Sequence, residues 1–370
     1  MDFRLTDDQR MLADTLGRFI ADNYPIAKRH EFVASENRFS PDMWRRFAEL
    51  GVVGALFGEK AGGYGGTGAD IALVFEALGR HLVVEPFLPT LLAGSLIAAL
   101  GSKAQKAVIA RIIAGETLVA FAHGEPQSRF DLAAVSTRAT RTAKGWTLRG
   151  AKSVVLGGEA AHLLVVSARI SGKPGDAAGI GLFLVKPDAR GVSRRGYATV
   201  DGYPAAEIGL ASAPAEPLGP SGRGMRAIEG AIARALVALC AESLGAMERA
   251  RELTVEYMHT RKQFGQPIGA FQALQHRMAD VLIEIEQMRS AVINAAGHLE
   301  GKRRDWHGSA AKHLAGRIGR QVAEEAIQIH GGMGMTWEYP VGHFAKRIVM
   351  IDHLFGDQDH HLERVAGIAG

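Results

Sequence analysis

The stretch YMHTRKQFGQPIGAFQALQ, residues 257–275, governs the reading of the whole chain. Apolar residues recur at helical spacing before and after it, over 225–260 and 270–299. Between those segments Gly265, Pro267 and Gly269 break the helical pattern into a turn. Arg261 and Lys262 precede the break, and Gln263 and Phe264 stand at it. A guanidinium fork that pairs with phosphate oxygens, an amide and a stacking ring at one helix end suit a large, flat, anionic ligand.

The run Arg261-Lys262-Gln263-Phe264-Gly265-x-Pro267-Ile268, followed by Phe271-Gln272, resembles the second conserved block of acyl-CoA dehydrogenases. A second run, Gln328-Ile329-His330-Gly331-Gly332-Met333-Gly334-Met335, resembles that family's Gln-x-x-Gly-Gly-x-Gly segment. The resemblance implies FAD as cofactor. Its diphosphate would be gripped across a subunit interface by the arginine and glutamine, with backbone contacts from the glycine segment. Arg261, Gln263, Phe264, Gln272, Gln328, Gly331 and Gly332 are the FAD-binding candidates.

The other segments match the layout this implies. At 370 residues the chain can hold two or three domains and a sizeable core. With 47% hydrophobic and 22% charged residues, the composition is that of a globular protein. A formal net charge of +4 is too small to point to nucleic acid. Cys240, the single cysteine, excludes an intrachain disulfide and sits in an apolar run as a small core residue. The N-terminus is acidic and amphipathic, without a secretory or transit pattern, and no apolar run is expected to approach the length of a membrane span. A cytoplasmic protein is expected.

Residues 1–115 read as an N-terminal helical domain. Thr6 caps the first helix and Ser40-Pro41 opens another; further helices fall at 69–82, 91–100 and 104–114. Residues 116–222 read as a middle antiparallel β barrel or sandwich, with strands at 135–141, 146–148, 162–170, 180–185 and 206–210. Pro214, Pro217, Gly219, Pro220 and Gly222 read as its exit linker. Residues 223–370 read as a C-terminal four-helix bundle, with long helices at 225–260, 270–299 and 304–330 and a shorter one near 340–365. The fold class is α+β. A Gly-rich run, Gly63-Tyr64-Gly65-Gly66-Thr67-Gly68, has the form G-x-G-x-x-G. A dinucleotide fold needs a parallel sheet around it, and the neighbouring pattern is helical, so it reads as a loop between helices.

Acyl-CoA dehydrogenation removes an α-proton, and the family places a glutamate for this near the C-terminus or early in the first bundle helix. Matched without gaps from Tyr339-Pro340, the C-terminal position is Phe355; the alternative pair falls on Ala235 and Leu236. Neither carries a base. Asp357, two places from Phe355, or another acid is then the candidate base. The family's flavin-facing Thr-Glu-Pro loop appears as Gly124-Glu125-Pro126-Gln127-Ser128-Arg129-Phe130-Asp131, and the segment 152–156 carries Val154 and Leu156 in place of an aromatic and a hydroxyl.

Two readings follow. The chain is one subunit of a heteromeric dehydrogenase whose base comes from a homologous chain; its texture is similar to the small subunit of pimeloyl-CoA dehydrogenases. Alternatively, Asp357 serves in a homo-oligomer. A non-catalytic scaffold subunit is the competing class. The partners implied are an acyl-CoA, dicarboxylyl-CoA among the options, an electron-transfer flavoprotein, and further subunits in a homo- or hetero-tetramer. The cluster Asp352, His353, Asp357, Asp359, His360 and His361 has no known helical ligand spacing, and no metal is expected.

Overall fold

The computed structural model describes residues 5–220 and 222–369; 1–4, 221 and 370, which the expected N- and C-terminal domains and the linker include, lie outside the described residues. Two compact units form. Met1–His30, Thr67–Val83 and Leu236–Gly370 make the first, and Glu31–Gly66 with Val84–Ala235 the second.

In the first unit, α1 (Asp7–Asn23) starts at a capping box between Thr6 and Gln9, as the sequence predicts for Thr6. A second box, Thr67 with Asp70, opens α4 (Gly68–Gly79). Asp70 also accepts Gln9 Nε2 at 2.9 Å, so the two helix starts are tied together. The bundle is built on α8 (Met225–Thr260), whose first turns belong to the second unit, with α9 (Gln272–Gly297) and α10 (Arg304–His330). Glycines bring α4 into backbone contact with α8: a Cβ on Gly79 would meet Glu242 O at 2.0 Å, and one on Gly245 would meet Glu76 O at 2.1 Å. The shorter helix expected near 340–365 is two, α11 (Val341–His353) and α12 (Gln358–Ala369). The break follows from the backbone, because Phe355 and Gly356 have φ of 58° and 117°, outside the right-handed helical region.

One expectation about α8 is corrected. It is long and apolar enough to cross a membrane by composition, yet 89% of its most apolar window is buried inside the protein. Its greasiness is that of a central bundle helix, surrounded on all sides.

In the second unit, α3 (Pro41–Glu49) is capped by Ser40, with Pro41 in the first turn. Then come α5 (Phe87–Leu100), α6 (Lys103–Lys106) and α7 (Val108–Ile113). α2 (Ile26–Ala34) spans the boundary between the units. Gly54–Leu56 forms a 3-10 turn rather than a strand before the Gly-rich run. Gly63 and Gly65 lie against it, where a Cβ would meet Phe57 O and Ala55 O at 2.1 and 2.4 Å. The run is a loop, as expected.

Seven strands follow: β1 (Val119–Ala122), β2 (Arg138–Thr142), β3 (Gly145–Leu156), β4 (Leu163–Arg169), β5 (Ile180–Val185), β6 (Val192–Ala198) and β7 (Pro204–Leu218). The pairings β2–β3, β3–β7, β7–β5, β5–β4 and β4–β2 return to their start and close a barrel. Its interior holds Leu148, Val155, Leu164, Val166, Phe183 and Ile208. It is not wholly antiparallel: β4 runs parallel to β1 and to β2. The wholly buried Arg169 sits at this closure and donates only to carbonyls, of Ala133, Val135, Ser171, Asp176 and Ala178.

The linker reading is corrected at Pro214 and Pro217, and Gly219, Pro220 and Gly222 lie beyond the strand. β7 continues through Pro214, opposite Thr147, and Pro217, opposite Phe183, to Leu218. A proline removes only its own N–H, and here the strand is changing partner from β3 to β5.

Candidate functional site

The two sequence blocks lie side by side within the first unit. Met258, Ile268 and Ile329 form one buried cluster, packed by Tyr257, Phe271, Leu274 and Met278. Above it Tyr257 stacks on His330 at 4.5 Å, and His330 meets Tyr339 at 4.8 Å. Apolar and aromatic side chains thus fasten the end of α8, the turn after it and the end of α10 into one surface. Arg261, Gln263, Phe264, Gln272, Gln328, Gly331 and Gly332 are all exposed. Among the described residues, no hydrogen bond or ion pair engages the Arg261 guanidinium or the Gln328 amide. At Gly331, with φ of 60°, and at Gly332 a Cβ would meet nothing within 4 Å. An unengaged cation beside open, side-chain-free backbone fits a diphosphate-bearing cofactor.

Residues 261–268 form a miniature hairpin. β8 (Lys262–Gln263) pairs with β9 (Gln266–Pro267) across Phe264-Gly265, whose φ values are 52° and 81°. Two positive φ angles mark a type I′ turn, where Asn-Gly is preferred and phenylalanine is strained. The ring of Phe264 is 91% exposed and touches Phe271 edge-on at 6.1 Å. Strain with so little burial points to a ring kept for contact with something else. Phe264→Asn is expected to raise stability by about 1 kcal/mol, because asparagine tolerates the left-handed region. The same variant should retain less flavin. Thermal denaturation and flavin absorbance check the two halves.

The loop between α11 and α12 is the second feature. Lys312 of α10 is wholly buried and donates to Asp352 O at 2.8 Å and Gly356 O at 2.6 Å. Burial pushes its ammonium down to about 8, with Cys240, Asp352 and Asp357 pulling the other way. His361 reaches Phe355 O at 3.1 Å; burial, then the Lys312 charge, lowers its imidazole to about 3. Phe355 is therefore clamped at positive φ on a fixed loop. Asp357 Oδ1 accepts the His360 N–H at 2.9 Å, as the cap of α12, and Asp352 Oδ1 accepts Gln358 N at 3.0 Å. Lys312 had no signal in the sequence beyond being one lysine in an apolar stretch.

The third feature lies in the second unit and was also not anticipated. Lys152 and Glu125 form a buried ion pair at 2.7 Å. Burial alone would raise the Glu125 carboxyl, but the Lys152 ammonium and hydrogen bonds from Lys152 and Thr137 outweigh it and hold it down at about 2. Burial lowers Lys152 to about 8 against the pull of Glu125. His123 Nδ1 lies 2.9 Å from Ser167 Oγ, and burial, then the Lys152 charge, takes its imidazole to about 3. Glu125 belongs to the 124–131 loop and Lys152 opens the 152–156 segment, the two stretches compared above with the family's.

Comparison with known proteins gives these features a context. Family profiles described as acyl-CoA dehydrogenase N-terminal, middle and C-terminal domains match residues 6–116, 120–212 and 222–369. Acyl-CoA dehydrogenase IpdE2 of Mycobacterium tuberculosis (strain ATCC 25618 / H37Rv) is 31% identical over 343 residues, covering 92% of this chain and 91% of the relative. The (2S)-methylsuccinyl-CoA dehydrogenase of Cereibacter sphaeroides is 28% identical over 91% of this chain, which spans only 65% of that longer protein. Among solved structures, the ChsE4-ChsE5 complex from Mycobacterium tuberculosis superposes with a TM-score of 0.89 at 26% identity, over 100% of this chain and 99% of that one. Three consecutive profiles and a relative matched nearly end to end leave one conclusion: the chain belongs to the acyl-CoA dehydrogenase family, FAD-dependent oxidoreductases that act on CH–CH bonds of acyl-CoA.

Proposed function

We propose that this chain is the subunit of a heteromeric acyl-CoA dehydrogenase that carries no glutamate base of its own. Arg261, Gln263, Phe264, Gln272, Gln328, Gly331 and Gly332 would hold FAD, with Arg261 and Gln328 at its diphosphate across a subunit interface. Bound FAD supplies the hydride acceptor for desaturation of the acyl chain. The observation that carries the proposal is Phe355: the loop is clamped by Lys312 and His361, and its side chain cannot take a proton. The base would come from a homologous partner chain. The ChsE4-ChsE5 structure, named as a complex of two chains, supports a heteromeric assembly. A dicarboxylyl-CoA such as pimeloyl-CoA is the proposed substrate class, electron-transfer flavoprotein the proposed acceptor, and a tetramer the proposed assembly. A cytoplasmic location belongs to the same reading; buried, unpaired Cys240 suits a reducing compartment.

Asp357 is the base in the alternative, homo-oligomeric reading. Its Oδ1 caps α12, so that role would have to be shared with the cap. Expression alone and together with a homologous dehydrogenase chain separates the readings, using flavin content and bleaching by acyl-CoA. The expected result is no bleaching alone and bleaching together. Turnover by the chain alone would support Asp357 instead. A co-purified pair that holds flavin only at the partner's sites would support a scaffold.

A further inference from the structure

All three ammonium protons of Lys152 are engaged: by Glu125 Oε1 at 2.7 Å, His123 O at 3.0 Å and Ser167 Oγ at 3.1 Å. Glu125 Oε1 also accepts Thr137 N at 2.9 Å, and Oε2 accepts Ser136 N and Gln127 Nε2, each at 2.8 Å. One pair of side chains thereby joins the end of β1, the 124–128 turn, the entry to β2, β3 and β4. A buried pair is weak evidence of stability by itself, but a fully satisfied network does fix one arrangement.

The segment leaving this hub is strained. Val154, two residues after Lys152, has φ of 51°, and a β-branched residue in the left-handed region is a genuine outlier. It sits where the β3–β7 register shifts, between Lys152 and Val155, so the strand bulges there. Bulges re-aim side chains, and this one leaves Val154 48% exposed. The bulge is held on both sides. Ser153 N donates to Gly124 O at 2.8 Å, and Val154 N donates to Glu207 Oε1 at 3.3 Å. Glu207 is itself braced by the Tyr197 hydroxyl at 2.8 Å.

We propose that Glu125 and Lys152 are positioning residues: from inside the barrel they hold the bulge that turns Val154 outward and lock it to the 124–131 loop, pre-forming one wall of the flavin site. Neither residue touches the ligand; they act through Val154 and Gly124. This rests on the FAD reading given above.

The test uses this chain purified together with its homologous partner chain, stripped of flavin and titrated with FAD, with dissociation constant, visible circular dichroism of the bound flavin and melting temperature as readouts. Three variants suffice: Lys152→Met, the double variant Glu125→Leu/Lys152→Met, and Val154→Gly. The double variant replaces the pair with apolar groups and is expected to melt near the wild type. Val154→Gly removes the strain on an exposed residue and is expected to melt no lower than the wild type. Both should nevertheless bind FAD about tenfold more weakly, the order of one good hydrogen bond, with reduced visible dichroism. Wild-type affinity and dichroism in either one overturns the inference while leaving the FAD reading intact. A wild-type complex that takes up no FAD overturns both. Lys152→Met, which strands Glu125, should lose both melting temperature and affinity; a loss of melting temperature alone would mark the pair as merely structural.

Discussion

Replacing Arg261 with alanine is expected to weaken FAD binding about 100-fold while leaving the fold untouched. The guanidinium is exposed and unengaged among the described residues, so its removal breaks no internal contact and the stability of the flavin-free protein should stay within about 0.5 kcal/mol of the wild type. Against a diphosphate the same group would make a bidentate, charge-assisted contact, and losing one or two such bonds, at about 1.5–3 kcal/mol each, accounts for a change of that order. Flavin absorbance relative to protein absorbance after gel filtration, then titration with FAD, reads the effect. Arg261→Lys separates charge from geometry. A lysine keeps the charge but not the planar fork, so it should recover only part of the affinity. Full retention of FAD by Arg261→Ala would remove the main support for the proposed cofactor residues.

The largest effect on stability is expected at Arg347. Its Nε and one terminal nitrogen donate to the two carboxylate oxygens of Glu242, each at 2.7 Å, and the two side chains are 3% and 4% exposed. Arg347→Met would leave a buried carboxylate without its cation. Breaking a buried pair from one side costs about 3–5 kcal/mol, a large share of the stability of most domains. Glu242→Leu/Arg347→Met should recover most of that loss, since an apolar pair of similar volume avoids the desolvation penalty. Urea denaturation of the three proteins measures both numbers. Glu242 also lies where Gly79 brings α4 against α8, so partial unfolding in the single variant should loosen α4 first, as hydrogen exchange would report. A loss below about 1 kcal/mol in Arg347→Met would mean the pair is hydrated in solution.

Residues 225–260 and 304–330 were legible as helices, and 180–185 as a strand, because each carries its own period over many positions or is a compact apolar run. Thr6 and Ser40-Pro41 marked helix starts correctly because a cap is a bond between residues three apart. The proposed FAD residues likewise lie in two contiguous runs, so they could be named from sequence neighbours alone. β1 and β6 were missed: β1 is four buried apolar residues, too short to show a period, and β6 is largely polar and exposed. Tertiary structure alone decided the rest. It carried β7 through two prolines, closed the barrel with parallel pairings, and made Lys152, Lys312 and Arg347 into buried, partnered cations. Lys152 and Glu125 are 27 residues apart and Arg347 and Glu242 are 105 apart. A lone lysine or arginine reads the same in sequence whether it faces water or a carboxylate in the core. Helical period, caps and turns are set by neighbours within a few residues, whereas burial of a charge depends on distant segments that only the folded chain brings together.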